Sequence, residues 1–193
     1  MQTEQRRKLS RSYFSKERLA DHHFRSFNAF LERGMQEVVT EKGRIETEIG
    51  DKEDEEPVWV ELGDVRVVTP RVREADGSEE LLYPQEARLR NITYAAPVFM
   101  EMTIKRGGEE EPIETLDSTE TKVGRMPIMV GSQKCNIAGF DDEELIEIGE
   151  DPADPGGYFI INGSERVLMT SEDLAPNKIL AEYDEKYGDE IQV

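Results

Sequence analysis

The chain has 193 residues, and 24 basic against 43 acidic side chains give it a formal net charge of −19 at pH 7. Hydrophobic residues make up 36% of the sequence, which is enough for a packed core and excludes disorder throughout. No apolar run approaches the roughly 18 residues that a membrane span needs. The basic start of the chain has no apolar segment behind it, as a secretory signal would. We expect a soluble, cytoplasmic protein of one domain, or part of a larger one.

Residues that support catalysis or metal binding are scarce. The single cysteine, Cys135, excludes an internal disulfide and every multi-cysteine zinc pattern. The two histidines, His22 and His23, lie far from it in the sequence, so no context links a nucleophile to a base. The Walker pattern and Gly-x-Gly-x-x-Gly are both absent. We therefore predict no catalytic residue and no metal ligand in this chain.

The charge is unevenly distributed. Residues 1–33 carry eight basic and four acidic side chains, which makes this segment +4 and the remainder −23. An acidic excess with 15 Arg against 9 Lys is typical of a protein that works in molar salt, where charges are screened over about 3 Å. The charge thus indicates a salt-adapted source, and the basic segment indicates a partner.

Periodicity predicts a helix near the start of the chain. Apolar residues recur at steps of three and four over residues 10–39, which is the spacing of one helix face: Ala20, Phe24, Phe27, Leu31, Met35 and Val38. Because the face contains aromatic anchors and Arg18, Arg25 and Arg33 lie off it, we interpret 10–39 as a docking helix. Residues 50–56 have no apolar member and are expected to form an exposed loop.

Beyond Pro57 the period changes to two. Residues 57–130 alternate as strands do and contain a tight turn at Asp76-Gly77 and a hairpin tip near Gly107. Within 141–177 we predict a short helix after Asp141 and a hairpin around Asn162-Gly163. The fold class is α+β with mixed or antiparallel sheet and long hairpins, because the β-α-β rhythm of a parallel sheet is missing.

Four stretches, in this order and spacing, carry a family resemblance. They are Ser-Tyr-Phe at 12–14 with Phe-Arg-Ser-Phe-Asn-Ala-Phe-Leu at 24–31, Leu-Tyr-Pro-Gln-Glu-Ala-Arg-Leu-Arg-Asn-Ile-Thr-Tyr-Ala-Ala-Pro at 82–97, Gly-Arg-Met-Pro-Ile-Met at 124–129, and Asp-Pro-Gly-Gly-Tyr-Phe-Ile-Ile-Asn-Gly-Ser-Glu-Arg-Val-Leu at 154–168. Together they resemble the second-largest subunit of multisubunit DNA-directed RNA polymerases in its archaeal and eukaryotic form. In that family this region is the first half of the protrusion domain, and residue 193 falls near the start of an inserted lobe.

The resemblance implies a place in a nucleotidyltransferase without a catalytic residue of its own. In the family the catalytic magnesium is held by another subunit, and zinc is bound elsewhere in the complex, so no cofactor is expected in this fragment. The implied role is a wall of the cleft that holds the DNA template and the DNA/RNA hybrid. The implied partners are other polymerase subunits, transcription factor B and a NusG-type elongation factor, with no membrane involved.

Four cations are candidate nucleic-acid contacts: Arg166, Arg88, Arg90 and Lys134. The stretch that holds Arg166 lies beside the RNA path in bacterial relatives of the family. Arg88 and Arg90 lie on one side of the chain if residues 85–93 are extended, and each can present a guanidinium to phosphates. The competing interpretation is that these arginines form internal ion pairs, with Glu86 and Glu165 as the obvious partners.

Some features of the sequence weaken the candidate sites or favour core roles. The family commonly has more basic charge where Gly131 and Gln133 stand, which weakens the site at Lys134, and Asp173 stands where eukaryotic relatives often have Arg. Tyr94 and Phe99 are at strand spacing and are expected in the core rather than stacked on bases.

Two other functions compete with the polymerase interpretation. The first is an independent acidic interaction module that binds its partner through Phe24, Phe27 and Phe30. The second is a metal-dependent hydrolase that uses Asp141, Asp142 and Asp151. A module is complete and selective by itself, whereas a hydrolase loses activity with a chelator.

Overall fold

The structure is a computed structural model that describes residues 3–14, 19–47, 57–107, 112–169, 171–173, 181–183 and 190–192. The loop predicted at 50–56 and the tip of the hairpin after Gly107 lie outside the described residues. Helices and antiparallel sheets together make an α+β fold. No helix in these described ranges is both long enough and apolar enough to cross a bilayer.

The helical start of the chain differs from the single helix predicted over 10–39. The first helix ends early, and after a turn at Leu19-Ala20 a second helical run continues to residue 42. Ala20 has φ −100° and ψ 13°, outside the helical region, and its carbonyl oxygen accepts from the backbone N–H groups of His23 and Phe24 at the start of the new run. The elements are α1 (Thr3–Phe14), α2 (Asp21–Ala29), a π-helical segment (Phe30–Gly34) and α3 (Met35–Lys42).

The π-helical segment also moves the buried face of the helical run. A π turn holds one residue more than an α turn, so side chains beyond it are displaced by one position around the axis. The predicted stripe placed Val38 inside, but Val38 is 62% exposed and its neighbour Val39 is buried. This correction follows from a backbone irregularity that apolar spacing alone does not reveal.

The main sheet has four antiparallel strands in the order β1-β2-β5-β6. A bulge interrupts the pairing of the second strand between Leu62 and Val65. Gln36 of α3 satisfies the bulge, because its side chain donates to the Gly63 carbonyl at 3.2 Å and accepts from the Val65 N–H at 2.9 Å. The strands are β1 (Arg44–Glu46), β2 (Val58–Val67), β5 (Ala95–Gly107) and β6 (Pro112–Pro127).

Between β2 and β5 the chain forms a small hairpin, β3 (Arg71–Arg73) with β4 (Glu79–Leu81), around the predicted turn at Asp76-Gly77. A helix follows, α4 (Pro84–Leu89), where an extended segment was considered over 85–93. Proline is favourable at the first position of a helix because its φ is already helical and its missing N–H costs nothing there. The next free N–H, that of Gln85, donates to the Glu150 carboxylate at 2.5 Å.

Helix-capping and turn residues close in sequence determine the elements in the last third of the described chain. Asp141 caps α5 (Asp142–Glu147) in a capping box with Glu144. The hairpin β7 (Phe159–Ile161) with β8 (Ser164–Arg166) turns at Asn162-Gly163, whose φ angles of 49° and 75° are those of a type I′ turn. A separate pair, β9 (Ala181–Tyr183) with β10 (Glu190–Gln192), completes the described elements.

The core is centred on Tyr94, which is fully buried as expected for a core residue. Its hydroxyl lies 3.3 Å from the Cys135 sulfur and accepts from the Asn136 N–H at 2.9 Å. Asn136 in turn donates to the Pro70 and Leu82 carbonyls at 2.8 and 2.7 Å. Burial raises the pKa of both the Tyr94 hydroxyl and the Cys135 thiol, so both stay protonated. Phe99 differs from the expectation, since it is only half-buried under the Arg66 guanidinium, 5.0 Å from its ring centre.

Gly157 lies just before β7 and packs against Ala20, the residue before α2. A substitution at Gly157 therefore tests the packing of α2 against β7 directly. The φ of Gly157 is +84°, and a Cβ there would lie 2.5 Å from the Cβ of Ala20. Gly139 has a similar φ of +89° with nothing within 4 Å of the same position, so it is the matched control. We predict that Gly139→Ala costs about 1–2 kcal/mol from backbone strain alone, and that Gly157→Ala costs about 1–3 kcal/mol more from overpacking.

The measurement is urea unfolding of the purified variants in molar KCl, followed by the fluorescence of Trp59, the sole tryptophan. Equal destabilisation by the two substitutions contradicts the placement of α2 against β7.

Candidate nucleic-acid and docking interface

Arg88 of α4 lies at the centre of an ion-pair network. Its Nη1 donates to Glu150 at 2.9 Å, its Nε to Glu165 at 2.9 Å and its Nη2 to the Tyr158 hydroxyl at 2.5 Å. Asp154 is 3.7 Å from the same guanidinium and accepts a hydrogen bond from the Tyr158 hydroxyl. One cation thus connects α4, the loop after α5 and the β7–β8 hairpin.

The network is largely removed from water, since the side chains of Arg88 and Glu150 are 19% and 4% exposed. Burial opposes the charge of Arg88, but its hydrogen bond to Glu150 and the attraction of that carboxylate outweigh it and raise its pKa. Burial, followed by the hydrogen bond to Asp154, raises the pKa of Tyr158, which therefore stays a neutral donor. Arg88 is charged and internally satisfied.

Arg90 also has internal partners. Its Nη1 lies 2.6 Å from Glu74 and 2.7 Å from Glu86, and the hydrogen bonds to these two carboxylates raise its pKa. Both acids predicted as competing partners are among those found, Glu165 on Arg88 and Glu86 on Arg90. Both arginines direct their guanidinium groups at carboxylates of this chain.

Arg166 and Lys134 differ from these two arginines. Arg166 is exposed on β8, and Lys134 is half-buried in the loop that follows Val130. Within the part of the chain that the structure describes, neither side chain has an ion pair or a side-chain hydrogen bond. Of the four predicted cations, these two are the ones without a counter-charge among the described residues.

An apolar groove, which we call the α2 groove, runs between α2 and the β7–β8 hairpin. It consists of two depressions of about 440 and 300 Å³ that share Phe27, Phe159 and Leu168. Phe27 and Phe159 pack edge to face with ring centres 5.3 Å apart and form its floor. The remaining lining residues include Phe30, Met126, Met129, Ile161, Arg166, Val167 and Met169.

The rim of the α2 groove is unusually apolar for a surface. Phe30, Val167, Leu168 and Met169 are 43%, 60%, 64% and 87% exposed. Contiguous apolar surface of this kind marks a binding site in a stable protein. The aromatic stripe expected to bind a partner is divided here, because Phe24 is buried in the body while Phe30 faces outwards. The sequence predicts a returning strand over residues 166–169, but β8 ends at Arg166, so residues 167–169 lie beyond it as an exposed apolar run.

Two of the three acids proposed for a hydrolase, Asp141 and Asp151, bind backbone N–H groups of their own segments. Asp141 is the N-cap of α5 and accepts from the N–H groups of Glu143 and Glu144 at 3.0 and 2.9 Å. Asp151 accepts from the N–H of Ala153 in a tight turn at 2.9 Å. Across the described ranges, no three His, Cys, Asp or Glu side chains are grouped so that they could hold a metal ion.

Comparison with known proteins identifies relatives. Residues 18–184 match the family model described as RNA polymerase beta subunit. The chain is 87% identical over all 193 residues to DNA-directed RNA polymerase subunit Rpo2N of Halobacterium salinarum, and 45% identical over 189 residues to Rpo2N of Methanocaldococcus jannaschii. It is 44% identical over 180 residues to subunit Rpo2 of Saccharolobus shibatae.

The chain spans only part of these relatives, although 100%, 97% and 93% of it is matched. It covers 37% of the Halobacterium protein, 36% of the Methanocaldococcus protein and 15% of the Saccharolobus protein. The Rpo2 chain is thus much longer than the Rpo2N chains for a match of similar size. The high identity to a Halobacterium protein agrees with the salt-adapted source indicated by the acidic composition.

The Arg88 network gives a stability prediction. Glu150→Gln leaves a largely buried guanidinium without its most buried counter-charge, and we expect a loss of about 3 kcal/mol. The matched control is Glu120→Gln, which removes an exposed partner of Arg66, 2.8 Å away, and is expected to cost less than about 1 kcal/mol. Urea unfolding at several KCl concentrations measures both. A cost for Glu150→Gln as small as that of the control contradicts a central role for the network.

Proposed function

The chain belongs to the RNA polymerase beta subunit family, and from that membership we propose that it works as part of a DNA-directed RNA polymerase in DNA-templated transcription. The observation that carries this proposal is the 87% identity over all 193 residues to a subunit of that name. The activity is that of a nucleotidyltransferase and belongs to the assembled enzyme. Its place of action is the cytoplasm.

Within the enzyme we infer a supporting role for this chain, as the first segment of the protrusion domain. As the family resemblance implies, magnesium for catalysis is then held by another subunit and zinc is bound elsewhere in the complex. The described chain contributes shape, two cations without a counter-charge among the described residues, and an apolar groove. Each of these is suited to positioning other molecules rather than to transforming them.

Arg166 and Lys134 are the proposed contacts to the backbone of the DNA template or of the DNA/RNA hybrid. What supports them is availability, since neither has an internal counter-charge among the described side chains. A guanidinium forms strong charge-assisted hydrogen bonds to phosphate oxygens and carries no base information by doing so. Arg88 and Arg90, with carboxylates bound to them, are proposed to support the surface from inside.

The α2 groove is the proposed docking surface for the rest of the polymerase. Its exposed apolar rim would remain in water in an isolated protein, which is unfavourable, and the relatives supply a large further length of chain. Transcription factor B and a NusG-type elongation factor remain proposed partners of the same region. An independent acidic module, the rival interpretation, loses its support because the family match covers most of the chain.

Docking through the α2 groove is tested with Leu168→Glu in the full-length subunit. A charge in an interface that excludes water is costly to bury, so we expect at least a tenfold loss of assembly with the other subunits. The control is Val123→Glu, which places the same charge on an exposed residue of β6 and is expected to assemble normally. Co-purification with an affinity-tagged partner subunit reports the yield. Normal assembly of Leu168→Glu contradicts the docking proposal.

Nucleic-acid contact is tested with Arg166→Glu. Because Arg166 also lines the α2 groove, the yield of assembled Arg166→Glu enzyme is measured first, by the same co-purification. Replacing an attractive charge by a repulsive one beside phosphates is expected to reduce template-dependent RNA synthesis about tenfold or more. Synthesis per assembled enzyme is the quantity to measure. Normal elongation by assembled Arg166→Glu enzyme refutes the contact.

A further inference from the structure

We propose that Arg88 is a positioning residue, which fixes the β7–β8 hairpin so that Arg166 faces the nucleic acid. The proposal rests on the proposed function, since it concerns the contact made by Arg166. It goes further by assigning the orientation of that contact to a side chain that touches no nucleic acid itself. Three features of the hairpin support it.

The first feature is the geometry of the guanidinium. Nε, Nη1 and Nη2 of Arg88 each donate to a different acceptor, and two of these acceptors belong to the hairpin region: Tyr158 directly precedes β7, and Glu165 is the middle residue of β8. The third, Glu150, is almost fully buried and anchors the guanidinium to the body. Lysine has one compact ammonium group and does not reproduce this planar fork. Arg88 is therefore suited to hold the hairpin in one orientation.

The second feature is the seat of the hairpin turn. The Asn162 N–H donates to the Thr93 hydroxyl at 3.1 Å, and the Gly163 N–H donates to the Ile92 carbonyl at 3.1 Å. A Cβ on Gly163 would lie 2.8 Å from Asn91, so only glycine fits so closely at this φ of +75°. The turn is thus attached to the loop that directly follows α4. Because this loop begins where α4 ends, the hairpin turn is held close to the helix that carries Arg88.

The third feature is the alternation of side chains along β8. Successive residues of a strand point to opposite faces. Glu165 points to Arg88, whereas Arg166 is paired with Phe159 across the hairpin and lines the α2 groove with it. Holding Glu165 on one face therefore sets the direction of Arg166 on the other. A hairpin of two three-residue strands is too short to be rigid alone, so it depends on this support.

The test uses stalled elongation complexes of polymerase reconstituted with the full-length subunit on an immobilised template. RNA release is measured as a function of KCl for Arg88→Gln, Arg166→Gln and the double variant. We expect each single variant to accelerate release by a similar factor, about tenfold, and to reduce the salt dependence by the equivalent of about one phosphate contact. The double variant is expected to release RNA no faster than Arg166→Gln alone.

Two further variants separate positioning from other effects. Arg66→Gln removes the arginine of the exposed Arg66–Glu120 ion pair on the main sheet, away from the hairpin. This variant is expected to leave RNA release unchanged. Glu165→Gln reduces the charge-assisted hydrogen bond from Arg88 to a weaker, neutral one and also removes a negative charge beside Arg166. If that charge acted only by electrostatics, its loss would slow RNA release; the positioning proposal predicts faster release. This exposed substitution also serves if Arg88→Gln lowers assembly.

The outcomes distinguish the two levels of the account. If Arg166→Gln accelerates release while Arg88→Gln and Glu165→Gln do not, the nucleic-acid contact stands and the positioning proposal is overturned. If the effects of Arg88→Gln and Arg166→Gln add in the double variant, Arg88 acts by another route and the proposal is again overturned. If Arg166→Gln has no effect, the contact itself fails and the positioning role fails with it.

Discussion

The buried pairing of Arg88 with Glu150 is the interaction on which the rest of this surface depends. A guanidinium placed this far from water requires counter-charges close by, and the structure supplies Glu150, Glu165 and Asp154 from segments distant in sequence. By satisfying one cation, the chain joins α4, the loop after α5 and the β7–β8 hairpin. In a protein of net charge −19, this arrangement uses carboxylates for internal order as well as for hydration.

The depth of the pairing matters in a salt-adapted protein. Exposed ion pairs such as Arg66 with Glu120 lose most of their attraction when molar salt shortens the screening length to about 3 Å. A pair that excludes water also excludes most of the screening ions. The same burial removes Arg88 from the set of cations that can reach phosphates and leaves Arg166 exposed. Arg88 thus orders the chain from one face of the β7–β8 hairpin, whereas Arg166 is exposed on the opposite face.

Local patterns predicted much of the fold. Period-two alternation located the long strands of the main sheet, and the Asn162-Gly163 and Asp76-Gly77 dipeptides located two turns, because these signals act over a few residues. The sequence pattern did not reveal the π-helical segment, which exchanged Val39 for Val38 in the core. It also left the conformation of residues 84–89 open. The Glu150 carboxylate that accepts a hydrogen bond from the Gln85 N–H lies 65 residues away in sequence.

The candidate site was predictable to a similar extent. Neighbouring charges identified Glu86 and Glu165 as competing partners of the arginines, and both pairs are present. Glu150 and Tyr158 were not identified, because nothing local relates them to Arg88. The α2 groove was missed for the same reason: its floor joins Phe27 of α2 to Phe159 of β7, and its rim is a short apolar run after the hairpin. Long-range packing, which periodicity does not encode, made the difference.

The central claim is that this chain works inside a DNA-directed RNA polymerase. The most direct test separates native source lysate by size in molar salt, with antibody to this chain and an assay of template-dependent RNA synthesis applied to every fraction. The account predicts that the antigen and the activity elute in the same fractions, and that the immunoblot band in those fractions lies well above the 22.1 kDa of these 193 residues. Antibody depletion is expected to remove both. Activity in fractions without the antigen, with a 22.1 kDa band elsewhere, contradicts the account.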